Sequence, residues 1–182
     1  MAKWTKKTYK LDAMHGWKAK PGYNIFVADR GAVRFDIPQT WTLQPGENQS
    51  IEFHDKEPPD DDCVLHLSVF HLARHVDWAG LPMARMLSQA LDGGDDDREV
   101  TSVGPILEES RGGLDLAWRE TRWVDSSENR DACTRTCLAH RLDIQVLLTM
   151  EFWTDDIERF SPVWDEVLRT LRLSEYKRRP DL

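Results

Sequence analysis

The chain has 182 residues, 40% hydrophobic and 31% charged, the size and composition of one globular domain with a sizeable core. Its net charge of −8 comes without a basic stripe. That argues against nucleic acid, where phosphate neutralisation supplies most of the affinity. No apolar run approaches the ~20 residues that span a bilayer, and no apolar segment follows the basic start MAKWTKKTYK as a secretory signal would require. Membrane insertion is therefore not expected. Three cysteines, Cys63, Cys133 and Cys137, are an odd number for a disulfide framework, so reduced thiols in a bacterial cytoplasm are the expected setting.

The first twenty residues carry six lysines against Asp12 and lead into Lys20-Pro21-Gly22, a turn signal. They read as an arm, with one short strand around Thr8 to Leu11. Tyr23, Ile25 and Val27 then alternate as a strand. Asp29-Arg30-Gly31 is a hairpin-length turn, and Val33, Phe35 and Ile37 point to one face of the next strand. Pro38 cannot donate to a ladder and ends it. Trp41 follows closely enough to fold back over the apolar face. Ile51 and Phe53 mark another short strand.

Residues 55–62 and 92–99 each hold five acids and one basic residue, beside Pro or Gly, and are predicted as solvated loop tips. Between them, CVLHLSVFHL (63–72) is a long strand with Leu65, Leu67 and Val69 on one face and His66, Ser68 and Phe70 on the other. Met83, Met86, Leu87, Ala90 and Leu91 have helical spacing after Pro82.

A second run of strands follows. Leu114, Leu116 and Trp118 alternate with polar residues. Trp123 has the opposite parity, which demands a bulge or burial on both faces. Residues 126–130 read as a polar loop. Leu142, Ile144, Val146, Leu148, Met150 and Phe152 share one parity without interruption, the pattern of a central antiparallel strand with one well-buried face. The chain closes with a helix expected to start at Ser161-Pro162, after a separate turn at 155–160. Trp164, Val167, Leu168 and Leu171 form its apolar face, worth about 2 kcal/mol per large side chain buried.

Two stretches carry a resemblance: F-x-I-P-x-x-W at Phe35, Ile37, Pro38 and Trp41, and F-x-P-x-W-x-x-V-L-x-T-L-R-L from Phe160 through Pro162, Trp164, Leu168 and Leu171. With Phe53 and the order of elements between, the chain resembles the PsbP-like superfamily, which includes PsbP, the yeast Ran-release factor, DcrB lipoproteins and Eag-type secretion chaperones. The resemblance implies an α+β fold, an α/β/α sandwich with a central twisted antiparallel sheet, one mid-chain helix and a C-terminal helix packed on it. It also implies non-enzymatic work on protein partners. The organisation expected is an arm at 1–22, one domain at 23–174 and a basic tail at 175–182.

Chemistry-bearing motifs are sparse, and no catalytic, cofactor or metal residues are assigned. Cys133 and Cys137 on an extended strand stand ~13 Å apart, too far for one zinc centre or a disulfide, and His140 faces the other way. His66 and His71 differ in strand parity and do not converge. A ligand or enzyme pocket beside them is the alternative reading. The acids from Asp92 lack the spacing of an EF-hand. What remains is aromatic: Phe70, Trp123, Trp153 and Trp78 are the candidate partner-binding residues, since exposed aromatic patches mark partner sites. Self-association through that face is one alternative. The other is that the arm covers it and buries Trp4 or Trp17.

Overall fold

Strict alternation of apolar and polar side chains places the long strands at the centre of an antiparallel sheet, and the end of the chain packs as a helix across it. The computed structural model describes residues 16–92 and 98–175. In chain order the strands are β1 (Tyr23–Ala28), β2 (Val33–Pro38), β3 (Thr42–Pro45), β4 (Ile51–His54), β5 (Cys63–His71), β6 (Glu99–Val103), β7 (Leu107–Arg111), β8 (Leu114–Asp125), β9 (Arg130–Arg141), β10 (Ile144–Trp153) and β11 (Arg172–Leu173). The helices are α1 (Met83–Asp92) and α2 (Ile157–Thr170). Neither is long and apolar enough to cross a membrane.

The main sheet runs β3-β4-β5-β10-β9-β8-β6, with β7 also paired to β8. A small sheet, β1-β2-β11, lies apart from it. Every pairing is antiparallel. One face of the main sheet is covered by α2 and the small sheet. There Leu65, Leu67, Ile144, Val146, Leu148 and Met150 meet Phe35, Phe160, Trp164 and Leu171 in one apolar cluster. Phe53 stands 5.6 Å from Phe35 and 4.8 Å from Phe26, and so couples the two sheets. The opposite face receives α1, which sets Met83 and Leu87 on Ala117 and Leu138. The result is an α/β/α sandwich.

The abrupt end of β2 at Pro38 has a packing purpose. Trp41 turns back and meets Phe160 edge-on at 6.3 Å, beside Phe152. Trp118 and Trp123 are reconciled by burial on two faces. The β8–β9 register is unbroken from Asp115↔His140 to Asp125↔Arg130, and the only shift on this side lies in β6, between Val100 and Ser102.

Three expectations need correction. Leu142 does not continue the buried stripe of β10. Pairing of Arg141 with Ile144 leaves Leu142 and Asp143 to reverse the chain, so Leu142 is 65% exposed with φ +54°. That backbone region is costly for a residue with a Cβ. Leu142→Gly should therefore raise stability, by up to about 1 kcal/mol, as a higher urea midpoint at unchanged slope.

The last helix begins at Ile157, and Pro162 lies inside it. Ile157 and Phe160 belong to the same apolar cluster as the rest of the helix, so packing carries the helix back through the proline. Ser161 does not cap; its hydroxyl accepts from Arg135 Nη2 at 2.8 Å. Residues 55–62 form an exposed turn at Lys56, Glu57, Pro59 and Asp60 as expected, but Asp55 does not belong to it. The Asp55 side chain is 1% exposed and accepts from the backbone N–H of Asp62 and Cys63. Of the other acidic run, residues 93–97 lie outside the described residues, as does the predicted strand at Thr8 to Leu11.

Candidate functional site

α1 covers only one end of its face of the main sheet. Beyond it, register brings two tryptophans into one row. Trp123 on β8 and Trp153 on β10 both pair with Ala132 on β9, so their Cα atoms sit two strand spacings apart, roughly 9.5 Å. Ala132 between them offers only a methyl group. The rings thus wall a groove whose floor it forms, part of a hollow of about 160 Å³ that crosses β5, β10, β9 and β8. Val64 and Phe152 add apolar surface, and Asp61, Asp62, Asp125 and Glu151 supply four carboxylates.

Both rings are held by partners from their own chain. The Trp123 indole N–H donates to Thr134 Oγ1 at 2.9 Å, and the Arg98 guanidinium lies 4.2 Å from its ring centre while donating to Glu151 at 3.0 Å. Arg130 lies 4.6 Å from the Trp153 ring centre and 3.7 Å from Asp156. Guanidinium–indole contacts of this kind contribute ~0.5–1 kcal/mol at exposed sites. Two of these carboxylates are held in their charged form. Hydrogen bonding from Lys56 and Arg159 holds the Asp62 carboxyl below the usual range. The Ser127 hydroxyl, with the backbone N–H groups of Glu128 and Ser127, does the same for Asp125.

Two of the four predicted partner-binding residues come together here and two do not. Phe70 is 45% exposed on the same face, but it pairs with Gln145, eight residues along β10 from Trp153, roughly 27 Å away. Trp78 sits in the β5–α1 connection, and its indole donates to Ala73 O at 2.9 Å. Parity put Phe70 on the right face; only the register could show that it lies at the wrong end. Sequence reasoning missed Ala132 and the arginines stacked on the rings, because a small floor and cross-strand stacking both depend on pairing.

The arm does not lay Trp17 on this face. Trp17 stacks with Arg34 of β2 at 4.7 Å, and Lys20 pairs with Glu166 of α2 at 3.3 Å, both on the opposite side of the main sheet. Trp4 lies outside the described residues.

The histidines do not converge. His66 is 3.5 Å from Glu52, and His71 meets Asp29 at 2.8 Å in solvent. Neither lines the groove. His140 Nε2 bonds Leu142 O at 2.8 Å, on the face opposite Cys133 and Cys137. All three thiols are buried. Burial pushes Cys133 up to about 12, and Cys63 and Cys137 upward as well. Since the thiolate is the reactive form, all three should resist an aromatic disulfide reagent in the native protein and react together only on unfolding in urea, read as absorbance against time. A second hollow, between β7, β8 and α2, is lined by Glu109, Arg111, Trp118, Asp165, Leu168 and Arg169. Three of its four charged side chains are used internally: Arg111 pairs with Glu109 and donates to Leu168 O, and Arg169 is bound to Glu166.

Sequence comparison places this architecture in a family. The Alr1449 family profile matches residues 24–177. The chain belongs to the Alr1449 family. This Alr1449-family protein is 42% identical over 178 residues to the alr1449 protein of Nostoc sp. (strain PCC 7120), covering 97% of this chain and 91% of that one. Solved structures share its fold at much lower identity. Cyanobacterial PsbP (CyanoP) from Synechocystis sp. PCC 6803 aligns with a TM-score of 0.61 and 14% identity, over 87% of this chain and 98% of that one. The Ran-binding protein Mog1p of Saccharomyces cerevisiae gives 0.51 at 9% identity, over 83% and 95%. LpqN of Mycobacterium tuberculosis, described as involved in cell envelope biogenesis, gives 0.53 at 10% identity, over 83% and 90%. The fold is that of the PsbP-like superfamily.

Proposed function

We propose that the protein is a non-enzymatic binding module, an adaptor or chaperone-like protein of the cytoplasm. Residues 23–174 form the module, and a protein partner is held in the groove between Trp123 and Trp153. The observation that carries this reading is the row Trp123–Ala132–Trp153, on the part of the sheet face that α1 does not cover. Paired tryptophans set over a small floor are the kind of rigid aromatic anchor that dominates binding energy at interfaces. A protein of the same fold is described as Ran-binding, which agrees with partner binding as the kind of work this scaffold does.

The test is a Trp123→Ala, Trp153→Ala double variant. Both rings are only partly buried, so the variant should keep the parent's circular dichroism and unfold as cooperatively. A partner that co-purifies with the parent from its own cells, and rebinds it after separate purification, should be lost by the variant. Retention of that partner by the folded double variant would move the binding surface elsewhere.

A separate observation favours self-association as the second reading. β6 is the terminal strand of the main sheet, and its Val100 and Val103 are 51% and 55% exposed, an edge of the kind that pairs with another chain. Light scattering of the parent and of Val100→Lys would decide it: a dimer that the lysine converts to a monomer supports the edge, and a monomeric parent removes it.

A further inference from the structure

The groove's chemistry narrows what it holds. We propose that it takes an extended basic segment, with an arginine or lysine side chain seated between the indoles of Trp123 and Trp153. This rests on the groove being the binding surface and adds the class of its occupant.

Three observations converge on a cation. The first is charge. The groove's lining carries Asp61, Asp62, Asp125 and Glu151 and no lysine or arginine. Arg98 answers Glu151, and Lys56 and Arg159 answer Asp62. Asp61 is bonded to His54, and Asp125 accepts from the Ser127 hydroxyl and the backbone N–H groups of Ser127 and Glu128 and lies across from Arg130, so the lining itself presents acids and no cation. The second is the rings. Each already carries a guanidinium of its own chain, Arg98 on Trp123 and Arg130 on Trp153. Neither arginine is among the groove's lining residues; each sits at its margin, Arg98 reaching Glu151 and Arg130 two residues from Ala132 on β9. An indole face attracts a second cation by the same quadrupole as the first. The third is spacing. β5 and β8, which carry Asp61, Asp62 and Asp125 at or beside their ends, are three strand intervals apart, roughly 14 Å, the reach of about four extended residues. A basic segment crossing the strands would pass one side chain between the indoles and bring its neighbours to the carboxylates at either end. A neutral apolar segment would satisfy the rings and gain nothing from the acids that line the groove.

The experiment is nuclear magnetic resonance titration of the full chain, labelled at the tryptophan indole nitrogens, with Ac-Ser-Arg-Ser-Arg-Ser-amide and with the same peptide carrying glutamine for arginine. The indole signals of Trp123 and Trp153, assigned by single replacement, should move selectively with the arginine peptide. Its Kd should weaken about tenfold or more with glutamine or in Trp153→Leu, the size expected from losing one cation–indole contact and its ion pairs, and also when salt is raised. In Trp153→Leu the Trp123 signal should stay in place without peptide, showing that the fold is intact. Equal binding of the glutamine peptide at this pair of rings would overturn the cationic occupant while leaving the groove a binding surface. Shifts confined to other indoles, or none at millimolar arginine peptide, would overturn the proposal, and the double-variant experiment then judges the groove separately.

Discussion

Asp55→Ala should destabilise the protein by about 3 kcal/mol, the cost of stranding buried donors that a carboxylate now satisfies, and lower the melting temperature by on the order of 10 °C for a chain of this length. Asp55 sits just past β4 with its side chain almost wholly buried. Oδ1 accepts from the backbone of Asp62 at 2.8 Å and of Cys63 at 3.0 Å, and Oδ2 accepts from Arg159 Nη2 at 2.6 Å. The two N–H groups are fixed by the turn into β5. Arg159, half exposed, would recover water, so most of the loss belongs to the backbone donors. Asp55→Asn keeps the Oδ1 acceptor but turns an amide N–H toward Arg159, whose half-exposed guanidinium can move to water, and should cost less, about 1–2 kcal/mol. Equal losses in the two variants, measured by urea unfolding, would sink this division. The same carboxylate holds Asp62 and Cys63, which border the groove, so Asp55→Ala should also weaken whatever the groove binds.

Periodicity made the architecture legible, and pairing made the site. The stripe from Ile144 to Phe152, the strand at Cys63 to His71 and the apolar face of α2 could be read from side-chain alternation, because burial on one face imposes a period that no register is needed to see. Leu142 misled because parity runs on through a turn that only the β9–β10 pairing reveals. Ser161-Pro162 misled because it has the local form of a helix start, whereas Phe160 and Ile157 gain more by packing in the preceding turn than the proline costs there. Asp55 looked like one more acid in a run. Nothing in composition separates a carboxylate that accepts buried N–H groups from its solvated neighbours. The groove needed two registers at once: Trp123 and Trp153 are thirty residues apart in sequence, and their common partner, Ala132, is a residue that no motif search would choose.

Trp164→Ala is expected to cost about 3–5 kcal/mol, the range for deleting a large aromatic from a core, and so to remove much of the total stability of a typical domain. Trp164 is fully buried. Its ring meets Trp118 edge-on at 5.8 Å, which fastens the middle of α2 to β8 while Phe160 fastens its first turns to β10 through Phe152 at 5.7 Å. The indole carries a burden of its own, for Nε1 is buried without a hydrogen-bond partner, and a stranded donor is itself worth ~1–3 kcal/mol of destabilisation. Trp164→Phe removes that donor along with part of the ring. Its cost should therefore fall to about 1 kcal/mol or less, below what the lost volume alone would give. The ordering of the two variants in urea unfolding is the test. If Phe costs nearly as much as Ala, the orphan N–H carries no penalty and the edge-on contact with Trp118 is what the site requires. If Ala costs less than about 1 kcal/mol, α2 is not the element that closes this face of the sheet, and the packing that joins Phe160, Trp164 and Leu171 into one core would have to be abandoned.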